Sequence, residues 1–104
     1  MADSDKPCTH GDMIEVAALA DGQKAEAVCR ACVEQGSTWV HLRECRTCGE
    51  VSCCDSSPNK HARKHARREN HPVITSAEPG EDWSYCYVDD ATFAVEGGQI
   101  VAQD

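Results

Sequence analysis

The pattern of hydrophobic and polar positions predicts several short strands. Runs rich in β-branched and aromatic residues indicate strands at 39–42, 51–53 and 73–75, and a further pair at 85–88 and 92–95. The apolar segment 13–20 has a periodicity that fits a short helix and a strand equally well, and the Asp21-Gly22 pair that follows it predicts a turn. The strands therefore indicate an antiparallel sheet, with 13–20 as a candidate second short helix.

The clearest element is a helix predicted over residues 58–69. Ser57 is a candidate N-cap, Pro58 suits the first helical position, and Asn70 followed by His71-Pro72 ends the helix. The predicted fold class is therefore α+β, with the sheet packed against this helix.

The faces of the predicted helix differ in chemistry. At about 100° per residue, its basic residues fall on one arc of about 140°. His61 and His65 lie beside that arc, about 40° apart, and Ala62 and Ala66 occupy the next sector. We expect the histidines and alanines to face the protein and the cations to face water. The cations are Lys60, Arg63, Lys64, Arg67 and Arg68.

Composition indicates one small domain that needs reinforcement. The chain has 104 residues with one Phe, two Trp and two Tyr, so its apolar core is thin. Residues 1–7 read as a loose polar tail without a secretory signal, and 97–104 are predicted to form a last strand or to fray. The eight cysteines are either disulfides or metal ligands. A cytoplasmic, reducing location is expected, and it favours metal over disulfides.

The formal charge of −8 is unevenly distributed along the chain. Residues 60–68 hold five bases and no acid, which leaves five bases against 18 acids, or −13, in the remainder. General nucleic-acid binding needs many phosphate contacts on one surface, and anionic membranes repel an acidic protein in the same way. The charge distribution disfavours both partners. We expect a monomer without a membrane partner.

Cysteines and histidines recur at spacings typical of metal sites. Two Cys-x-x-Cys knuckles each direct a pair of sulfurs at one ion, and Gly49 after the second knuckle supplies backbone freedom. Thiolate combined with imidazole favours tetrahedral Zn²⁺. The pattern therefore predicts structural zinc. Its members are Cys8, His10, Cys29, Cys32, Cys45, Cys48, Cys53, His61, His65 and His71.

Two other interpretations of these cysteines are possible from the sequence. A disulfide framework conflicts with the absent signal peptide, and a dithiol redox protein is supported mainly by the vicinal Cys53-Cys54 pair. Strand alternation points Cys53 and Cys54 to opposite faces, so at most one joins a given site. His41, between Val40 and Leu42, is expected to be a packed or surface residue rather than a ligand.

The order of these residues resembles the UBP-type zinc finger, the zinc-finger module of deubiquitinases. The resemblance runs from Cys8 to about Val88, and its most specific part extends from Trp39 through His71-Pro72. It predicts one domain over residues 8–96, similar to small stand-alone prokaryotic members.

The resemblance implies how the ligands divide. One site would use Cys29, Cys32, Cys53 and His61, and a second would use Cys45, Cys48, His65 and His71. A third site would draw on Cys8, His10 and Cys86, with Asp89 at the position of the family's next cysteine. Two zinc ions are therefore expected, and the third site would bind a third ion. Each structural zinc contributes on the order of 10 kcal/mol to folding.

The family resemblance implies a binding module rather than an enzyme, because the chain has no room for a catalytic domain and no base for a Cys nucleophile. In ubiquitin-binding members an aromatic pocket and an Arg capture the C-terminal Gly-Gly carboxylate. Here Asp55 stands near the Arg position, and its charge disfavours ubiquitin. The candidate pocket residues are Trp39, Tyr85 and Tyr87, which also suit a core.

We therefore expect a non-catalytic adaptor for a protein or peptide. The alternatives are a nucleic-acid-binding zinc domain that uses helix 60–68, and a thiol redox or zinc-handling protein.

Overall fold

The structure is a computed structural model that describes residues 13–96 and 99–101. Its helices and strands are short: two helices are followed by two strands, a third helix and four further strands. They are α1 (Asp21–Glu26), α2 (Arg30–Gln35), β1 (Leu42–Cys45), β2 (Val51–Cys53), α3 (His61–Glu69), β3 (Val73–Ser76), β4 (Ser84–Cys86), β5 (Ala91–Glu96) and β6 (Gln99–Val101).

The strands form one antiparallel sheet in the order β2-β1-β3-β4-β5-β6. In β1, Glu44 lies opposite Val51 of β2 on one side and Thr75 of β3 on the other. Helix α3 packs on β1 and β2, and α2 packs on β2. The predicted α+β class and the sheet packed on α3 are confirmed, and the predicted last strand is β6.

Helix α3 begins at His61, three residues later than predicted. The Ser57 hydroxyl accepts a hydrogen bond from the Val40 N–H at 2.8 Å, so it joins the loop before β1 and does not cap the helix. Lys60 stands at the N-cap with a left-handed φ of 51°. The end of the helix is as predicted, because Asn70 adopts φ 58° and its N–H donates to the Ala66 carbonyl.

The segment 14–20 is neither a helix nor a strand. The N–H groups of Glu15 and Val16 both donate to the Arg46 carbonyl, at 2.8 and 3.0 Å. The Leu19 N–H donates to a carboxylate oxygen of Glu44 at 3.0 Å. The apolar run is therefore held by hydrogen bonds to β1 and to the turn after it, which its periodicity did not indicate.

Several further boundaries differ from the prediction, and the strand predicted at 85–88 is β4, which ends at Cys86. Asp21 and Gly22 form the first residues of α1 instead of a turn, and the Gln23 side chain accepts the Ala20 N–H at 2.8 Å, which caps this helix. The strand predicted at 39–42 is β1, shifted so that it begins at Leu42.

Among the described residues, two apolar clusters form the core. One contains Val73, Cys86, Phe93 and Ile100, with Phe93 fully buried. The other combines cysteines with few aliphatic side chains, and its buried members are Cys29, Cys32, Leu42, Cys53 and Ala77. Because three of those five are cysteines, this half of the domain depends on whatever holds its thiols together.

The helices of residues 13–96 are all too short to cross a membrane, and α3, with nine residues, is the longest of them.

Candidate functional site

The first Cys/His cluster joins α2, β2 and α3. Cys29 precedes α2, Cys32 lies within it, and Cys53 ends β2. The Nδ1 atom of His61, the first residue of α3, lies 3.4, 3.3 and 3.4 Å from the sulfurs of Cys29, Cys32 and Cys53. One nitrogen is thus nearly equidistant from three sulfurs.

These distances match the edges of a tetrahedral zinc shell. With Zn–S near 2.3 Å and Zn–N near 2.0–2.1 Å, a tetrahedron separates sulfur from nitrogen by about 3.6 Å and two sulfurs by about 3.8 Å. The Cys32 and Cys53 sulfurs are 3.7 Å apart. We therefore interpret the short contacts as separations between ligands of one ion rather than as hydrogen bonds.

The second cluster joins the end of β1 and the knuckle that follows it to the middle of α3 and to the segment after that helix. The Cys45 sulfur lies 3.5 Å from His71 Nδ1, and the Cys48 sulfur lies 3.4 Å from His65 Nε2. The four ligand atoms all lie within 4.8 Å of one another. Gly49, at φ 84°, closes the knuckle with an N–H bond to the Cys45 carbonyl.

The turn after α3 brings His71 into this cluster. The left-handed Asn70 turns the chain, and the His71 N–H donates to the Ala66 carbonyl at 3.0 Å. Ala62 and Ala66 are buried against the sheet as predicted, so the helix approaches closely enough for both of its histidines to reach the sulfurs.

Burial makes the isolated thiols hard to ionise. It raises the pKa of Cys32 to about 12, and the nearby Cys29 and Cys53 thiols add to the shift. Burial is also the main cause of the raised pKa of Cys45. A coordinated metal reverses this preference, because a ligating thiol is deprotonated. Donor sets of three sulfurs with one nitrogen, or of two sulfurs with two nitrogens, fit Zn²⁺.

The imidazole of His65 is prepared for coordination by its surroundings. Burial lowers its pKa, so the neutral, ligating form prevails at neutral pH. Its Nδ1 atom is buried without a hydrogen bond, and Glu50 Oε2 lies 3.4 Å away. A carboxylate behind the ring is a common support for a metal-bound histidine. Glu50 was not predicted as part of a site, although its position next to the knuckle was a usable signal.

The proposed third site is only partly visible. Cys8 and His10 lie outside the described residues. Cys86 and Asp89 do lie together, because the Asp89 N–H donates to the Cys86 sulfur at 3.4 Å and Asp89 Oδ2 is 3.7 Å from that sulfur. The third site stays a prediction.

His41, which was predicted not to be a ligand, and Cys54 both lie outside the two clusters. His41 is exposed. Cys54 is buried and contacts the Ser57 hydroxyl at 3.6 Å, so only Cys53 of the vicinal pair joins a cluster.

The candidate ligand pocket is a cleft of about 260 Å³ on the sheet face that α3 borders. Tyr85 and Tyr87 line it, with their rings edge to face at 5.2 Å. Trp39 does not line this cleft, because it packs against the cysteine-rich core cluster. Trp83 lines it instead. Strand alternation was the missed signal, since residues 83, 85 and 87 share one face. We call this site the aromatic cleft.

Two arginines stack on rings at the aromatic cleft. The Arg43 guanidinium lies 4.6 Å from the Trp83 ring centroid, and the Arg63 guanidinium lies 4.8 Å from that of Tyr87. Arg63 also donates from Nε and Nη2 to one Asp55 oxygen, at 2.8 and 2.6 Å. The lining therefore carries two cations against one carboxylate, and Arg63 neutralises the Asp55 charge that the sequence analysis expected to act alone.

Comparisons with known proteins support the assignment of the two Cys/His clusters as zinc sites. A sequence profile of the zinc finger in ubiquitin hydrolases and other proteins matches residues 29–96. Among solved structures, the solution NMR structure of protein RPA1320 from Rhodopseudomonas palustris is 39% identical to this chain. The match has a TM-score of 0.68 and covers 93% of this chain and 96% of that one. No curated protein matches the chain.

The profile match begins at Cys29, the first ligand of the first cluster, and extends through β5. It therefore includes every residue of both clusters. The chain belongs to the family of zinc fingers found in ubiquitin hydrolases and other proteins, and its two Cys/His clusters fit two zinc ions.

Proposed function

We propose that this zinc finger is a non-catalytic adaptor that binds the carboxylate end of a peptide from a protein partner in the aromatic cleft. The observation that carries the proposal is the pair of arginines, Arg43 and Arg63, which line one small cleft with each guanidinium over an aromatic ring.

The cleft combines two features that suit a chain end. Guanidinium groups match carboxylates in geometry, and stacking on a ring orders them before the ligand arrives. Trp83, Tyr85 and Tyr87 add apolar walls with polar edges. Because Asp55 is already paired with Arg63, Arg43 is the cation best suited to receive a new carboxylate.

The chemistry of the cleft favours binding over catalysis. Cys54 lines the cleft, but no histidine stands among the described residues that line it. A thiol nucleophile needs an adjacent base or another activating group with the correct geometry. We therefore assign the cleft a role in recognition.

The experiment is a calorimetric titration with a synthetic peptide that ends in Gly-Gly. The peptide with a free carboxylate should bind, and the same peptide with an amidated end should not. Arg43→Ala should weaken binding about tenfold, since it removes a charge-assisted contact. Arg30→Ala is the matched control, because Arg30 is exposed on α2 and does not line the cleft. Equal affinity for both peptides would rule out the proposal.

A second candidate function is nucleic-acid binding through α3. Lys64, Arg67 and Arg68 are exposed along this helix, with Lys60 exposed at its N-cap. Titration of duplex and single-stranded oligonucleotides at low salt tests this candidate, because phosphate contacts weaken steeply as salt rises. Absence of binding at low salt would exclude it.

A further inference from the structure

A second groove of about 280 Å³ adjoins the aromatic cleft. Its lining includes Ala66, Arg67, Pro72 and Val88, and we call it the α3 groove. Arg63 and Tyr87 line both sites. Because these two side chains are stacked on each other, they form a common wall, and a bound chain that leaves the aromatic cleft over this wall enters the α3 groove.

The α3 groove has an apolar floor and a cationic rim. Ala66 and Pro72 are buried, whereas Val88 is 64% exposed and is the most exposed large apolar side chain of the described residues. Arg67 is exposed at the rim and makes no ion pair with any described residue. Its charge is therefore available, unlike that of Arg63, which Asp55 neutralises.

We infer that the α3 groove binds the peptide upstream of its carboxylate end, and that it selects an acidic side chain there through Arg67. An acidic occupant is chosen because its charge is complementary to that of Arg67. A Glu side chain lays its methylene groups on Pro72 and Val88 and places its carboxylate at Arg67. A Lys at the same position meets a like charge. The inference rests on the proposed function, because it uses the same peptide and extends it by one subsite.

The test uses five-residue peptides with a free carboxylate and a Gly-Gly end. Glu or Lys is placed in turn at the third, fourth and fifth position from the end. With the wild-type protein, Glu should be preferred over Lys about threefold or more at one position at least, which is the range of an exposed ion pair. Arg67→Glu should remove or invert that preference.

Lys64→Glu is the matched control, because it makes the same change of charge on α3, and Lys64 lines neither the aromatic cleft nor the α3 groove. It should leave the preference for Glu in place. A preference that disappears equally in both variants would show a general effect of net charge and would overturn the inference.

The remaining outcomes separate the inference from the proposed function. If the Gly-Gly dipeptide binds through Arg43 but no position distinguishes Glu from Lys, the inference fails and the proposed function stands. If neither the dipeptide nor any five-residue peptide binds, the proposed function fails and the inference fails with it.

Discussion

His61 and His65 lie one turn apart on α3, yet they serve different metal clusters. His61 turns Nδ1 toward three sulfurs of the first cluster, and His65 turns Nε2 toward Cys48 of the second. The helix is therefore attached to the sheet at two independent points. This arrangement explains how a helix with a basic outer face and only two buried alanines stays in place.

Replacing either histidine should remove one zinc equivalent. His61→Ala and His65→Ala should each lower the zinc content by about one per chain relative to wild type, and each should unfold the domain or lower its melting temperature strongly. His41→Ala is the control, because His41 is exposed and belongs to neither cluster. Metal analysis and circular dichroism measure both quantities. Full zinc content in His65→Ala would contradict the assignment.

Removal of zinc should unfold the domain. Each structural site contributes on the order of 10 kcal/mol, which is comparable with the whole stability of an ordinary domain. Excess EDTA should collapse the amide dispersion of the NMR spectrum, and added zinc should restore it. A metal-free protein with native, dispersed resonances would show that the apolar clusters suffice on their own.

Charge reversal at Arg63 should cost a little stability and no zinc. Arg63→Glu removes the Asp55 ion pair and the stacking on Tyr87, and it places two carboxylates together. Because the pair is exposed to solvent, we expect a loss of about 1 kcal/mol in denaturant unfolding. Lys64→Glu, on the exposed face of the same helix, should change stability by less than about 0.5 kcal/mol. Loss of zinc from Arg63→Glu would place this residue in the metal framework instead.

Glu50→Gln should weaken zinc binding at the second cluster. Glu50 lies behind the ring of His65, and supports of this kind are worth about 10–100-fold in metal affinity. We expect a loss of metal affinity of about 10-fold, at the lower end of this range, since the Glu50 side chain is 48% exposed. Competition with a chromogenic chelator measures the change, and Glu34→Gln on the exposed side of α2 provides the control. Equal affinities in the two variants would remove Glu50 from the site.

Acid should destabilise the protein from about pH 6.5 downward. Burial lowers the pKa of His65 below its ordinary value of 6.5. The folded state thus favours the neutral ring, and the stability it adds is present above pH 6.5 and is lost as pH falls through the lowered value. Protons also compete with zinc for this ligand. Melting temperature and zinc content, followed from pH 7.5 to 5, should fall together. A constant melting temperature over that range would contradict this account.

Much of the metal framework could be predicted because metal ligands have strict chemistry and spacing. The Cys-x-x-Cys pairs and the histidines of α3 could be recognised as candidate ligands from their residue types and their spacing in the sequence. Their division between two clusters could not be derived from spacing, because the ligands of one site alternate along the chain with those of the other. The family resemblance supplied that division, and the structure brings the same residues together.

Elements without such chemistry were harder to locate. Ser57 was assigned to the start of α3 by its type, but a tertiary hydrogen bond to Val40 uses its hydroxyl. Trp39 was assigned to the pocket by its position, but the cysteine-rich cluster needs its apolar surface. In both cases a long-range contact decided between two roles that the local sequence allowed equally.

The order of the ligands has a consequence for assembly. The first site joins residue 29 to residue 61, and the second joins residue 45 to residue 71. The two cross-linked loops therefore overlap in sequence over residues 45–61. Closing one loop shortens the search for the other, because the remaining ends are already near each other. The half-loaded species should therefore be scarce at intermediate zinc concentrations, and the protein should load its metals in a nearly all-or-none manner.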